Sequence, residues 1–365
     1  MKTRTQIHSL QAALIIFAGT VGTVYFPLAA ALIPFAGSAS WWVALLTFLL
    51  GSLWVLQATW LGKQAPVGNF GVAVESWLGP ILGKVFLLWF AAYWLILSSG
   101  ILAEVSFVFH IVALPATPIG VLEVASLLLV LYTDLHGFET CMRTIQALLI
   151  LAIPLMISFL LTAMVAARWT SLLPLLDVEL MDVAKALYYI SPYPLPGVLV
   201  TLFLTTKVPD RKNISMQSVL AVWIAGLLLS LIVAVTIAVL GCCVTESYVY
   251  PTIPLAQSIS IGDTLVGVEI LVYPLWLISG YIKSALAFVI ASATVRALIP
   301  GLKQPWRTLG LGLAVLIAVL LTPNVRSTVS LLHISDFYLG IPFYLAIPGM
   351  AIWVKMKKWG KQHAK

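Results

Sequence analysis

The sequence predicts an all-α polytopic membrane protein, with ten spans in one transmembrane domain that splits into two five-helix halves. Three observations lead there. Of the 365 residues, 61% are hydrophobic and only 9% charged. Apolar runs of about 20 residues recur along the whole chain. Two of those runs, at corresponding places in the two halves, are interrupted by Gly or Pro. A soluble domain carries roughly 25% charged residues. At a mean hydropathy of +1.06, no soluble core has room for this much apolar surface, so the solvent is lipid.

The spans are read, in order, as 9–35, 41–62, 83–110, 118–135, 144–167, 185–206, 214–240, 266–295, 308–322 and 338–354. The opening MKTRTQIHSLQAALIIFAGT imitates a secretory leader, with a basic head and a short apolar body. Apolar character continues through Ala31 and Phe35, which makes it an uncleaved first span. Within it, FAGTVGT (17–23) holds Gly19 and Gly22, which favour helix breakage. Span six carries ISPYPLP (190–196). Each proline removes an N–H and clashes with the preceding turn, freeing the carbonyls of Tyr188, Ile190 and Pro192. The residue before each is pushed towards extended geometry, so span six is expected to be broken, not merely bent.

Spans one and six begin two repeats, approximately 9–167 and 185–354. An odd number of crossings per half turns the second half upside down relative to the first. Broken helices at matching places in inverted halves point to a transporter-type site at the bilayer midplane. Irregular backbone is tolerated in lipid only where it is buried in protein or lines a cavity. The alternative is a set of proline kinks absorbed by ordinary packing.

Lys and Arg set the orientation. With the N-terminus inside, sixteen of the 20 basic residues fall at cytoplasmic ends, including Lys63, Lys207, Lys212, Arg296 and Arg307. The outer side holds Arg168, Lys185 and Arg326, and Lys283 lies within a span. Both termini are then cytoplasmic. The net charge of +7 is topology signal and contact with anionic headgroups, and implies no nucleic acid. Cys141, Cys242 and Cys243 suggest packing, not a redox centre. The stretch VYPTIPLAQSISIGD (249–263) predicts a short helix across the outer mouth.

The polar residues inside spans are the candidate site. A charge near the bilayer centre costs at least ~2.5–3.5 kcal/mol on insertion scales, so it is normally paired or faces a cavity. Lys283 in span eight is such a residue, either a site cation or half of a structural ion pair. Glu104 in span three, one turn after Gly100, is its expected partner. Glu123 and Glu269 are read as reaching headgroups or water. The expected ligand contacts are Gly19, Thr20, Gly22 and Thr23 on span one, and Tyr188, Ile190, Ser191, Tyr193 and Gly197 on span six. Ser98 of span three and Ser279 of span eight complete them. The N–H groups of Thr23, Val24, Gly197, Val198 and Leu199 would begin the second half-helices and hold a carboxylate. The carbonyls of Tyr188 and Ile190 would take an ammonium. Isolated hydroxyls in spans more often bond their own helix. No histidine or cysteine spacing fits a metal site, and no HExxH, GxSxG or Walker A motif is present, so neither an enzyme nor a cofactor is expected.

The chain resembles the B subunits of GerA-type spore germinant receptors, in the amino acid–polyamine–organocation transporter superfamily. The residues that carry this are LPATPIGVL (114–122), HGFETCMRTIQ (136–146), LLPLL (172–176) and IGDTLVGVEILVYPLWLISGYIKSALAF (261–288). Many members have arginine just before the span-eight glutamate, where this chain has Val268. The resemblance implies the LeuT-like fold, with helices one and six unwound. It also implies the inner membrane of a bacterial endospore, beside an A subunit and a lipoprotein C subunit, and recognition of an amino-acid-type germinant. A cation- or proton-coupled amino acid permease of the same fold is the other reading.

Overall fold

In a computed structural model, residues 8–174, 177–261, 265–266 and 269–363 are described. Lys2, Arg4, Gly267, Val268, Lys365 and part of 172–176 lie outside the described residues, and the side chain of Glu269 is likewise undescribed. The described chain is helical apart from turns and one two-stranded ribbon, Ser260–Ile261 paired antiparallel with Leu265–Val266.

The first predicted run forms α1 (Ser9–Val21) and α2 (Leu28–Ala36), separated by a turn. Next come α3 (Ser40–Lys63), α4 (Phe70–Leu78), α5 (Pro80–Val112), α6 (Ile119–Leu135) and α7 (Phe138–Ala166). The proline-rich run forms α8 (Leu180–Ile190) and α9 (Leu195–Thr205). They are followed by α10 (Ile214–Leu240), then α11 (Cys242–Ser247) and α12 (Thr252–Ser258). The remainder is α13 (Glu269–Leu298), α14 (Gln304–Leu320), α15 (Val325–His333), a π-helical stretch Ile334–Gly340, and α16 (Phe343–His363).

Six described helical stretches are long and apolar enough to cross a bilayer, and the pair α8–α9 makes a seventh. The chain is a polytopic membrane protein. Helices are the natural solution, because lipid offers no partner for backbone N–H and C=O groups. Polar side chains in the spans mostly follow the same logic: Thr47, Thr201, Thr205, Thr236 and Thr294 each donate to the carbonyl four residues back.

Proline alone does not break these helices. Pro154 lies within continuous α7 and Pro274 within continuous α13. At Pro192, Pro194 and Pro196 the removed donors are two residues apart, and the chain bends by 48° between α8 and α9. The first break differs in place from the expectation. Gly19 stays inside α1, packed under Leu286 and Val200, while the helix stops at Gly22, whose φ of 33° a side chain rarely adopts. It restarts only at Leu28, not at Thr23.

The packing positions both breaks. Helices α5 and α13 lie against each other along much of their length, as do α3 and α10, and α1 sits against α9 and α10. The α1–α2 turn is pinned to α13 by the Tyr25 hydroxyl, 2.9 Å from Ser279 Oγ, and by edge-on contact of Phe26 with Trp276. A second buried polar cluster joins α6, α13 and α14. Asp134 accepts from Ser292 at 2.9 Å and from Thr308, and Arg307 Nε donates to Ser292 at 2.9 Å.

Candidate functional site

The two helix breaks border one cavity of about 330 Å³. Thr23, Val24 and Pro27 line it from the first break, and Pro192, Tyr193 and Pro196 from the second. Leu97, Ile101 and Glu104 come from α5, Lys283 from α13, and Val329, Leu332, His333, Asp336 and Phe337 from the α15 segment. Residues 246–250, from the end of α11 into the link to α12, complete the wall. A short helix expected over 249–263 is found as α12, and it is the segment before it that reaches the cavity.

Four charged side chains line this space, of which Glu246 at the end of α11 is exposed. Glu104 is 2% exposed and Lys283 5% exposed, and Asp336 is half-buried in the π-helical stretch. Lys283 is within electrostatic range of both carboxylates. An ion pair in direct contact is seen elsewhere, at Lys185–Asp182, 2.7 Å apart on the surface, whereas neither carboxylate comes within contact distance of Lys283. The expected Lys283–Glu104 pair therefore lines the same cavity without touching, and Asp336 joins it as a further carboxylate. Thr23 and Tyr250 stand beside Glu104. The stem of Lys283 runs over Gly22, where an added Cβ would lie 2.1 Å from Lys283 Cδ. The glycine thus serves both the turn and the close approach.

Of the expected contacts, Thr23, Tyr193, Glu104 and Lys283 line the cavity, and the others stand behind or outside it. Thr20 donates to the Ile16 carbonyl at 2.7 Å and lies over Gly197, whose Cβ position is 2.2 Å from Thr20 Oγ1. Ser98 donates to the Ser284 carbonyl at 3.0 Å, and Ser279 bonds Tyr25 and the Trp276 carbonyl. Ile190 is fully buried and Tyr188 is 64% exposed.

The backbone roles also shift. The carbonyls of Tyr188, Ile190 and Pro192 accept turn bonds from the N–H groups of Ser191, Tyr193 and Leu195 at 3.3, 3.1 and 3.1 Å. The Ser191 hydroxyl donates to Tyr188 as well, at 2.8 Å. Those carbonyls are occupied by the turn itself, which compensates most of what the prolines remove. Val198 N–H bonds the Pro194 carbonyl at 3.2 Å, leaving Gly197 as the unpaired amide at the start of α9 among the described residues. In the first break, Val24 N–H bonds Val21, while the Thr23 amide, as expected, has no backbone acceptor among the described residues. The amides without a backbone acceptor at the start of α2 are those of Leu28, Ala29 and Ala30, one turn later than expected. Ala30 lines the cavity.

Sequence reasoning missed Asp336 and His333. The signal was there in LLHISDFYLG (331–340), an acid at the edge of an apolar run. A seven-residue π-helix is itself unusual, and such stretches occur often at functional sites. Glu123, expected to reach headgroups, is only 5% exposed.

Comparison with known proteins bears on this arrangement. The family model described as spore germination protein matches residues 6–327, which takes in Glu104 and Lys283 and ends before Asp336. A curated relative, spore germination protein KB of Bacillus subtilis (strain 168), is 22% identical over 334 residues, covering 88% of this chain and 89% of its own. With the family match running through all but the two ends of the chain, the protein belongs to the spore germination protein family.

Proposed function

We propose that the chain is the B-type, membrane-embedded subunit of a nutrient germinant receptor. It binds a small amino-acid-type germinant at the bilayer midplane, between broken helices one and six, and so triggers germination. The observation that carries this reading is the cavity bordered by both helix breaks, lined by the buried cation Lys283 and by Glu104 and Asp336, with which it makes no direct ion pair. A charge buried in a span and left out of contact with its counter-charges is costly. A zwitterion relieves that cost, its carboxylate towards Lys283 and its ammonium towards Glu104 and Asp336. The free amides of α2 and Gly197 add the positive ends of two half-helices.

The reading includes ten crossings in a five-plus-five inverted repeat of LeuT-like type, with α1–α2 and α8–α9 as the broken members and both termini cytoplasmic. An A subunit and a lipoprotein C subunit are the partners, in the inner membrane of a spore, and the protein acts as a receptor or transporter, not an enzyme. The test is germination of spores carrying Glu104→Gln or Lys283→Met, with protein level measured, against a panel of amino acids. The expected result is a higher nutrient requirement of roughly tenfold or more per lost contact, with an unchanged response to a non-nutrient trigger. An unchanged nutrient requirement at normal protein level overturns it. The permease reading draws on the same cavity, and uptake of the amino acid by vesicles holding this protein alone favours it instead.

A further inference from the structure

A second cavity, of about 340 Å³, lies on the far side of the α5–α13 wall from the charged one. Its lining includes Leu102 and Val105 of α5, Leu129 of α6, Leu148 of α7, and Leu277 and Tyr281 of α13. The two cavities share helices α5 and α13 as walls. Glu104 faces one side and Val105 the other, as do Lys283 and Ser284.

Three of the four hydroxyls on this second wall, all but that of Ser126, are already engaged. Thr144 donates to the Thr140 carbonyl at 3.0 Å, Ser284 to the Tyr281 carbonyl at 3.2 Å, and the Tyr281 hydroxyl bonds Thr133. A trapped water needs two to four polar partners, and these groups offer it little. An empty apolar space of this size forfeits dispersion contact along its whole lining. The rim is open to the apolar surface of the helices: Leu129 is 57% exposed and Leu277 41%. In a chain whose solvent is lipid, what lies against that rim is hydrocarbon. The cavity sits near the middle of α6 and α13, at the depth of acyl chains rather than headgroups.

We propose that this cavity is a binding site for one phospholipid acyl chain, which enters between α6 and α13 and packs against the back of the wall that carries Glu104 and Lys283. The site requires no headgroup chemistry, since no charged residue lines it. This inference is independent of the germinant site.

The experiment uses the full-length protein in phosphatidylglycerol and phosphatidylethanolamine vesicles doped with phosphatidylglycerol bearing a mid-chain diazirine. After illumination, labelled positions are mapped by peptide mass spectrometry. Label is expected on the cavity positions of α6 and α13 above that on α7 positions at least as exposed to lipid, such as Ile150 and Leu161. Filling the space with Ser126→Phe and Thr144→Phe together should lower cavity labelling roughly tenfold and leave Ile150 and Leu161 unchanged. Labelling that simply follows surface exposure in the wild-type protein overturns the proposal, and so does cavity labelling that survives filling. The wild-type comparison decides even where the filled variant fails to fold.

Discussion

Lys283 lays its methylene stem across Gly22 while its ammonium shares a cavity with Glu104 and Asp336. Removing it leaves two carboxylates facing each other without a counter-charge, the kind of change that costs roughly 3–5 kcal/mol at a buried pair. Because the cavity has room for water, the lower end applies. Lys283→Met should therefore lower the amount of protein in the membrane. Adding Glu104→Gln and Asp336→Asn should restore much of it, as read by immunoblot and thermal unfolding in detergent. Purely additive losses across the three changes would mean that they do not act as one charge set. A different lysine gives a pH test. Lys207, just after α9, has its ammonium 5.1 Å from the Phe138 ring and 4.8 Å from the Phe203 ring. Burial, then nearby Arg296, holds its pKa down to about 8, against ~10.4 unfolded. Between those values the unfolded chain binds the extra proton, so stability should rise as pH climbs from about 8 to about 10.4. Lys207→Met should abolish that rise in thermal unfolding. Glu104 and Lys283 were legible because a charge stands out in an apolar run. Asp336 was not, because it falls just outside the span read as 338–354 and reaches the cavity through a π-helical geometry that no residue pattern announces. Ser98 and Ser279 were misleading for an equally physical reason: hydroxyls within hydrocarbon bond the nearest protein acceptor first.

At the scale of elements, breakage of spans one and six was readable and its register was not. Three alternating prolines leave a helix no regular option, so the α8–α9 bend was forced. Where the chain resumes in the first span depends on tertiary anchors instead: Tyr25 on Ser279 and Phe26 on Trp276 hold residues 22–27 out of helix until Leu28. Which carbonyls stay free depends on three-residue turn bonds that composition does not reveal. If the second break keeps the cavity open, replacing Pro192 and Pro194 together by alanine lets α8 and α9 merge and closes it. The nutrient concentration for half-maximal germination should rise roughly tenfold or more at unchanged protein level. An unaltered concentration dependence would show that the bend is structural only.

For the molecule as a whole, composition announced the membrane, and the apolar runs located the helices. Packing partners were out of reach, since nearly every face of every span is apolar and periodicity carries little contrast. The orientation awaits its own measurement. Single cysteines at Ser38, Ser247 and Ser327, in a background lacking Cys141, Cys242 and Cys243, should react with an impermeant thiol reagent from outside. Cysteines at Lys63 and Lys212 should not. Labelling of position 212 without position 247 in intact cells would reverse the proposed topology.

The cavity draws its walls from Thr23 near one end of the chain to Phe337 near the other. During synthesis, the segments holding Thr23, Glu104 and Pro192 enter the membrane long before Asp336 leaves the ribosome. Their polar groups wait in hydrocarbon without the element that closes the ring. A chain that stops before residue 329 would lack one wall of the cavity. The cavity is thus completed only late in biogenesis, when the last of its lining residues, up to Phe337, have been made and have docked.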